Sequence, residues 1–163
     1  MKTETQNTKK RITAQQALER LETLCAKGER CTYELRQKLW NWQISGHAAD
    51  DIINKLISAK FVDDTRFAKA YINDKVRFAR WGQRKIALGL AQKRIDAGTV
   101  RQLLSEIDAT VVEQNLLELL NTKARTIQDP RTYEGRTKLY RYALSRGYYP
   151  DVVSHVIKIH FVN

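Results

Sequence analysis

Along nearly the whole chain, apolar residues recur three or four positions apart with polar residues between them. That is the period of a helix buried on one side. Ala17, Leu18, Leu21, Leu24 and Cys25 make the first stripe, with Thr13 as its N-cap and Gly28 as its end. Leu35 and Leu39 begin a second, for which Thr32 is the expected cap, Glu34 lies in the first turn, and Ser45-Gly46 closes the element. A third runs from about 47 to 60 on Ile52, Ile53, Leu56 and Ile57, with Asp50 and Asp51 in its first turn. The fourth, from 64 to about 78, carries Phe67, Ala68 and Tyr71 and is broken at Trp81-Gly82. Ile86, Leu90 and, near its end, Ile95 define the fifth. Asp96 and Gly98 mark a turn before Val100, Leu103, Leu104 and Ile107 of the sixth. Asp108 caps a longer seventh on Val111, Val112, Leu116, Leu117 and Leu120. Asp129-Pro130 reads as a cap and first residue of the eighth, which holds Leu139 and Ala143 and ends at Gly147. Pro150 opens the ninth, with Val152, Val153, Val156 and Ile157. No stretch alternates with the period of a strand, and the run from 156 to 162 reads as the end of a helix. The expected class is all-α.

Nine helices fall into threes. Leu35, Leu39, Ile44, Ile52 and Ile53 match Ile86, Leu90, Ile95, Leu103 and Leu104 at a constant offset of 51. Ala17, Leu21 and Cys25 match Ala68, Ile72 and Val76 at the same offset. A further step of 53 brings Leu139, Ala143, Tyr148, Val156 and Ile157 into register with the 86–104 set. A three-helix unit of this size buries little core alone, so stacking several units is the stable solution. The expected architecture is an elongated tandem array of three three-helix repeats, 12–62, 63–107 and 108–163, behind a flexible tail over 1–11.

Between the first two repeats lies Phe61-Val62-Asp63-Asp64-Thr65-Arg66-Phe67-Ala68-Lys69-Ala70-Tyr71. Both aspartates suit a helix start, and Phe61 and Val62 can fold over the cap.

Composition narrows the function. Pro occurs twice and Gly seven times in 163 residues, leaving few helix breakers. No apolar run approaches the roughly 20 residues of a membrane span, and the N-terminus is polar, so a cytoplasmic protein without membrane contact is expected. A monomer is expected as well, although nothing in the sequence fixes the oligomeric state. Cys25 and Cys31 do not have the spacing of a metal or redox pair and are expected reduced, one in the core and one near a helix start. His47, His155 and His160 share no metal-binding spacing, and Asp63, Asp64 and Asp74 are better explained as caps and surface than as nuclease metal ligands. There is no Gly-rich phosphate loop and no nucleophile motif. Neither an enzyme nor a cofactor is expected.

Net charge is +11 and uneven. Residues 64–101 carry net +7, residues 121–146 net +5, and residues 102–120 net −4. Basic blocks around an acidic one suit nucleic acid, or a partner that already holds it.

The chain also reads Thr32-Tyr33-Glu34-Leu35-Arg36-Gln37-Lys38-Leu39, then the aspartate join, then Gly82-Gln83-Arg84-Lys85-Ile86. This resembles the RecX family of bacterial recombination regulators, whose pattern is roughly Glu-Leu-x-x-Lys-Leu, Asp-Asp-x-x-Phe-Ala-x-x-Tyr and Gly-x-x-x-Ile-x-x-x-Leu. The first two repeats carry the motif, and the third agrees in apolar pattern. Two features depart from it. Cys31 stands where the family often has Ser, and Gln43-Ile44 and Arg94-Ile95 stand where it often has Gly before an apolar residue. A non-Gly residue in a left-handed cap costs about 1 kcal/mol. The turns at Gln43 and Arg94 are therefore expected to be built differently from that at Gly147.

The resemblance implies a non-enzymatic modulator that lies in the groove of the RecA–DNA filament and restrains ATP hydrolysis, filament growth and strand exchange. Recombination, DNA repair and the SOS response are the processes it implies, and RecA and single- or double-stranded DNA are the partners. Candidate contacts are Arg77, Arg80, Arg84, Lys85, Lys93 and Arg94 in the middle block. Lys123, Arg125, Arg131, Arg136, Lys138, Arg141 and Arg146 form the last block. Arg suits both carboxylate and phosphate. Other readings are a basic helical DNA-binding module of the helix-turn-helix kind and a helical-repeat adaptor for an acidic protein. Trp42 falls on the apolar stripe by helical spacing, whereas the repeat comparison places Trp40 with Ala91 and Leu144. Trp81 either stacks on a partner or covers its turn.

Overall fold

The computed structural model describes residues 12–162. The tail expected over 1–11 lies outside the described residues. Among those described there are nine helices and no strand: α1 (Ala14–Ala26), α2 (Thr32–Asn41), α3 (Gly46–Ser58), α4 (Asp64–Arg77), α5 (Gln83–Gln92), α6 (Ala97–Ser105), α7 (Ala109–Ala124), α8 (Tyr133–Ser145) and α9 (Pro150–Phe161). The protein is an all-α array of helical repeats. It divides into two compact units inside α4, between Phe67 and Ala68.

In the first unit α1 and α2 both pack on α3, enclosing Ala17, Leu21, Leu35, Leu39, Ala49, Ile52, Ile53, Leu56 and Val62. In the second, α5 packs on α6, and α7, α8 and α9 pack on one another. Leu116, Leu119, Leu120, Leu139, Ala143, Tyr148, Val153, Val156, Ile157 and Phe161 form one core there. Ala68, Ile72, Ile86, Leu90, Ile95, Val100, Leu103 and Leu104 are buried as well. The matched apolar positions of the repeat are thus interior, apart from Ile44, Cys25 and Val76, which are half-buried.

Several starts follow from their caps. Thr13 accepts from the Gln16 N–H while the Gln16 side chain accepts from Thr13 N–H, a reciprocal box. Asp96 and Asp108 accept from the N–H groups of Thr99 and Thr110, and these bonds draw both carboxyls below their ordinary pKa.

Other expectations are corrected. Thr32 is the first residue of α2, and the N-cap is Cys31, whose side chain makes no cap bond. The α8 helix begins at Tyr133 because Thr132 accepts from the Gly135 N–H at 3.1 Å, leaving Asp129-Pro130 in the preceding turn. Asp50 lies beyond the first turn of α3 and pairs with Arg36 at 2.7 Å. Ile57 and Val111 are exposed, while Leu119, three residues after Leu116, is buried on the α7 stripe. Cys31 is both at a helix start and fully buried, whereas Cys25 is half-buried.

The three inter-helix turns of the repeat are built alike, against expectation. Gln43, Arg94 and Gly147 all adopt positive φ, at 61°, 55° and 91°. In each turn the next residue donates its N–H to a carbonyl five residues back: Ile44 to Leu39, Ile95 to Leu90 and Tyr148 to Ala143. The left-handed residue itself donates three back, to Trp40, Ala91 and Leu144. This is the paired hydrogen bonding of a left-handed helix end. Gln43 and Arg94 bear the strain because the apolar residue after each must fold back onto its helix.

Burial resolves the tryptophans. Position 40 is aligned with 91 and 144; Trp40 is 70% exposed and Ala91 is exposed, while Leu144 is half-buried against its core. Trp42 packs against the first core, with the Arg20 guanidinium 5.9 Å from its ring.

Candidate functional site

The sequence Phe78-Ala79-Arg80-Trp81-Gly82 leaves α4 and enters α5. It is pinned at nearly every residue. Phe78 N–H donates to Asp74, and Trp81 N–H donates to Lys75. Gly82 N–H donates to the Arg146 carbonyl at 2.8 Å, and Arg84 N–H to the Gly147 carbonyl at 3.0 Å. In return the Arg146 guanidinium donates to the Ala79 carbonyl at 2.8 Å, and the Tyr148 hydroxyl to the Arg80 carbonyl at 3.0 Å. The start of α5 is therefore capped by the end of α8, backbone to backbone. A methyl group on Gly82 would overlap the Gly147 carbonyl, and one on Gly147 would overlap the Lys85 backbone. Burial pushes the Tyr148 phenol up to about 12, against the pull of Arg146 and Arg80.

This pinned corner presents cations. Arg77 and Arg84 are exposed, and Lys85 lies 4.5 Å from the centroid of Trp81. Lys75 lies on the same indole at 5.3 Å and on the Tyr71 ring at 5.2 Å. Trp81 is half-buried under the two lysines and covers its turn. The acids nearby are engaged: Asp74 with Lys75 at 2.9 Å and Glu118 with Arg80 at 2.6 Å. The first turn of α5 holds Gln83, Arg84 and Lys85 and no acid. Cations at a helix N-terminus are disfavoured by about 0.3–1 kcal/mol each. Placing two there sets a positive potential at the surface rather than a gain in helix stability.

The remaining candidates are dispersed. Lys93 and Arg94 sit at the far end of α5, about 15 Å along a helix of that length. Lys123 lies 5.4 Å from the Tyr142 ring, and Arg125 is exposed just beyond α7. Arg131 precedes α8, Arg136 donates to its carbonyl, and Lys138 and Arg141 are exposed along α8. Arg146 is half-buried, and its Nε has no hydrogen-bond partner. Its geometry makes it a strut of the α4–α5 loop. The residue that charge and motif overlooked is Phe78, 77% exposed with the Arg77 guanidinium 5.9 Å from its ring centroid. The signal available was its place at the end of the α4 stripe, one residue past the helix.

Asp63 and Asp64 are both engaged at helix starts. Asp63 accepts from the Arg66 N–H at 2.9 Å, and Asp64 accepts from both Thr32 N–H and Thr32 Oγ1 at 2.7 Å. Among the described residues no group of three His, Cys, Asp or Glu is placed to hold a metal, and no helix is long and apolar enough to cross a membrane.

Two models of one family match the chain: the second three-helix domain of RecX over residues 63–104 and the third over 112–157. Together they cover more than half of it. The chain belongs to the RecX family. It is 31% identical over 130 residues to the regulatory protein RecX of Clostridium botulinum, covering 77% of this chain and 59% of that one. Against RecX of Haemophilus influenzae it is 27% identical over 137 residues, covering 82% and 88%. The chain spans about 59% of the length of the clostridial relatives it matches. The crystal structure of RecX from Lactobacillus salivarius has the same fold, with a TM-score of 0.80 at 22% identity over 90% of this chain and 95% of that one.

Proposed function

We propose that this chain regulates homologous recombination by binding the RecA–DNA filament and slowing it. On this reading it restrains ATP hydrolysis, filament growth and strand exchange in cytoplasmic DNA repair and the SOS response, and catalyses nothing itself. The observation that carries it is the α4–α5 corner, where Arg77 at the end of α4 and Arg84 and Lys85 at the start of α5 flank a loop held by the end of α8, and where Asp74 and Glu118 are already paired. A preorganised cationic surface loses little entropy on meeting a nucleoprotein fibre. The exposed cations of α8, Lys138 and Arg141, extend the same chemistry. Family membership supports the regulatory class, and the repeat supports a partner that is itself repetitive.

The test is ATP hydrolysis by RecA on single-stranded DNA, titrated with this protein. Inhibition at well below one copy per RecA subunit is expected. A protein that merely coats DNA would need enough copies to cover the strand, and that stoichiometry would sink the reading. The double variant Arg84→Glu, Lys85→Glu should weaken filament binding about tenfold or more at low salt. Arg80 is left unchanged in it, because reversing that charge would also break its pair with Glu118.

A further inference from the structure

We propose that Phe78 is a stacking platform for an unpaired nucleic-acid base, so that this chain binds single-stranded DNA directly through its α4–α5 corner. The inference extends the filament reading and is tested without recombinase, so either can fail alone.

Phe78 is 77% exposed, and what sets it apart from the other exposed apolar side chains is its setting: the backbone around it is held in place, and the Arg77 guanidinium lies 5.9 Å from its ring centroid. Its own N–H is bonded, and so are the Ala79 and Arg80 carbonyls and the Trp81 and Gly82 N–H groups that follow. The ring is therefore presented by a rigid backbone. Trp81, three residues on, has Lys75 and Lys85 over it and is not open to a base in the same way. Arg77 lies beside the ring, and Arg84 and Lys85 in the first turn of α5 add positive charge to the same corner for phosphate contacts. Aromatic rings among cations bind single strands by stacking bases while the charges follow the backbone. A duplex offers no free base face unless it is unstacked, which costs several kcal/mol. A protein partner would instead bury Phe78 in an apolar pocket and match the cations with carboxylates.

The experiment measures binding of the purified chain, at one fixed salt concentration, to three probes of about 16 nucleotides. They are oligodeoxythymidylate, an abasic deoxyribose-phosphate oligomer of equal charge, and a blunt duplex. The wild-type chain should prefer oligodeoxythymidylate to the abasic oligomer. Phe78→Ala should lose between about 5- and 150-fold on oligodeoxythymidylate and nothing on the abasic oligomer. Phe78→Tyr should retain the preference. The salt slope should be unchanged by Phe78→Ala, since stacking releases no counterion, and reduced by Arg84→Ala. Equal affinity for the base-bearing and abasic strands, tighter binding to duplex, or no loss in Phe78→Ala would each overturn the proposal. Phe78 is exposed, so the variant's thermal unfolding should match wild type and exclude misfolding.

Discussion

The α2 and α5 helices begin at corresponding points of the repeat, Cys31 and Gly82 being 51 residues apart, yet their first N–H groups are satisfied in opposite ways. At α2 the acceptor is a side chain: the Asp64 carboxylate takes the N–H and hydroxyl of Thr32. At α5 the acceptors are backbone carbonyls of Arg146 and Gly147. A carboxylate reaches in from its own Cα and leaves room for a Cβ at the cap, so Cys31 is tolerated there. Backbone-to-backbone approach leaves none, so Gly82 and Gly147 are both needed. The charge follows the same division. The α2 helix has Glu34 in its first turn, as a lone helix prefers, whereas α5 carries Arg84 and Lys85. The carbonyls of α8 offset part of the positive field at the start of α5, and a basic corner can be held there.

The largest effect should come from filling that backbone contact. Gly82→Ala must displace the Gly147 carbonyl, and Gly147→Ala the Lys85 backbone, and neither neighbour is a flexible side-chain tip. Each should destabilise the second unit by about 3 kcal/mol or more, in the range of overpacked or strained sites. Cys31→Ala, at the corresponding start, should cost less because only a buried thiol is lost. Urea unfolding of the three variants would decide it; similar midpoints for Gly82→Ala and wild type would remove the packing argument.

The second contrast is pH. Tyr148 occupies the column held elsewhere by Ile44 and Ile95, and its hydroxyl extends the turn to the Arg80 carbonyl. Its folded pKa, about 12, exceeds the unfolded value of 10.0. The unfolded chain therefore releases this proton first, and stability present below pH 10 falls as pH rises towards 12. The loss should reach about 2 to 3 kcal/mol. Tyr148→Phe should be about 1 kcal/mol less stable at neutral pH and should lack this alkaline component. Unfolding free energies for both chains between pH 8 and pH 12 would measure the difference.

What could be read in advance followed from period and spacing. The buried set at 35, 39, 52 and 53 and its images at 86, 90, 103 and 104 came from the 51-residue offset, because a helix's inner face is a local property of its sequence. Caps at Thr13 and Asp108 were legible for the same reason, whereas Asp96, read as part of a turn, is the N-cap of α6. What docks on a helix end is not local. Asp64 caps a helix that starts 32 residues earlier, Arg146 reaches a carbonyl 67 residues away, and Arg80 is paired with Glu118 on α7. Nothing in their flanks announces these partners. Alignment at position 40 could not settle burial, because the column is mixed: Trp40 follows Ala91 to the surface, while Leu144 packs on its core. Phe78 escaped notice because an aromatic at the end of an apolar stripe looks like core.

Removing the side-chain cap is the third test. Asp64→Ala leaves the N–H and hydroxyl of Thr32 without their acceptor and should cost the first unit about 1 to 2 kcal/mol. Asp64→Asn, which keeps an accepting oxygen, should cost less. Hydrogen exchange at the Thr32 amide should quicken in Asp64→Ala. Unchanged protection would mean that the carboxylate is not what holds this end of α2.

The smallest effect separates conformation from packing at the left-handed positions. Arg94 and Gly147 share one turn geometry, and Gly147 is in addition pressed against the Lys85 backbone. At Arg94 the backbone term is that of an L-residue at positive φ, about 1 kcal/mol, reduced by the greater freedom glycine has when unfolded. That term favours Arg94→Gly by about 0.5 kcal/mol, opposite in sign to the change expected of Gly147→Ala, and the loss of the arginine side chain's own contacts subtracts from it. Gln43→Gly should behave as Arg94→Gly does, since φ is 61° there. Thermal melts at matched pH would read both shifts. If Arg94→Gly were destabilising by as much as Gly147→Ala, the arginine side chain's own contacts would outweigh the backbone term, and the division between a strained turn and a crowded one would fail.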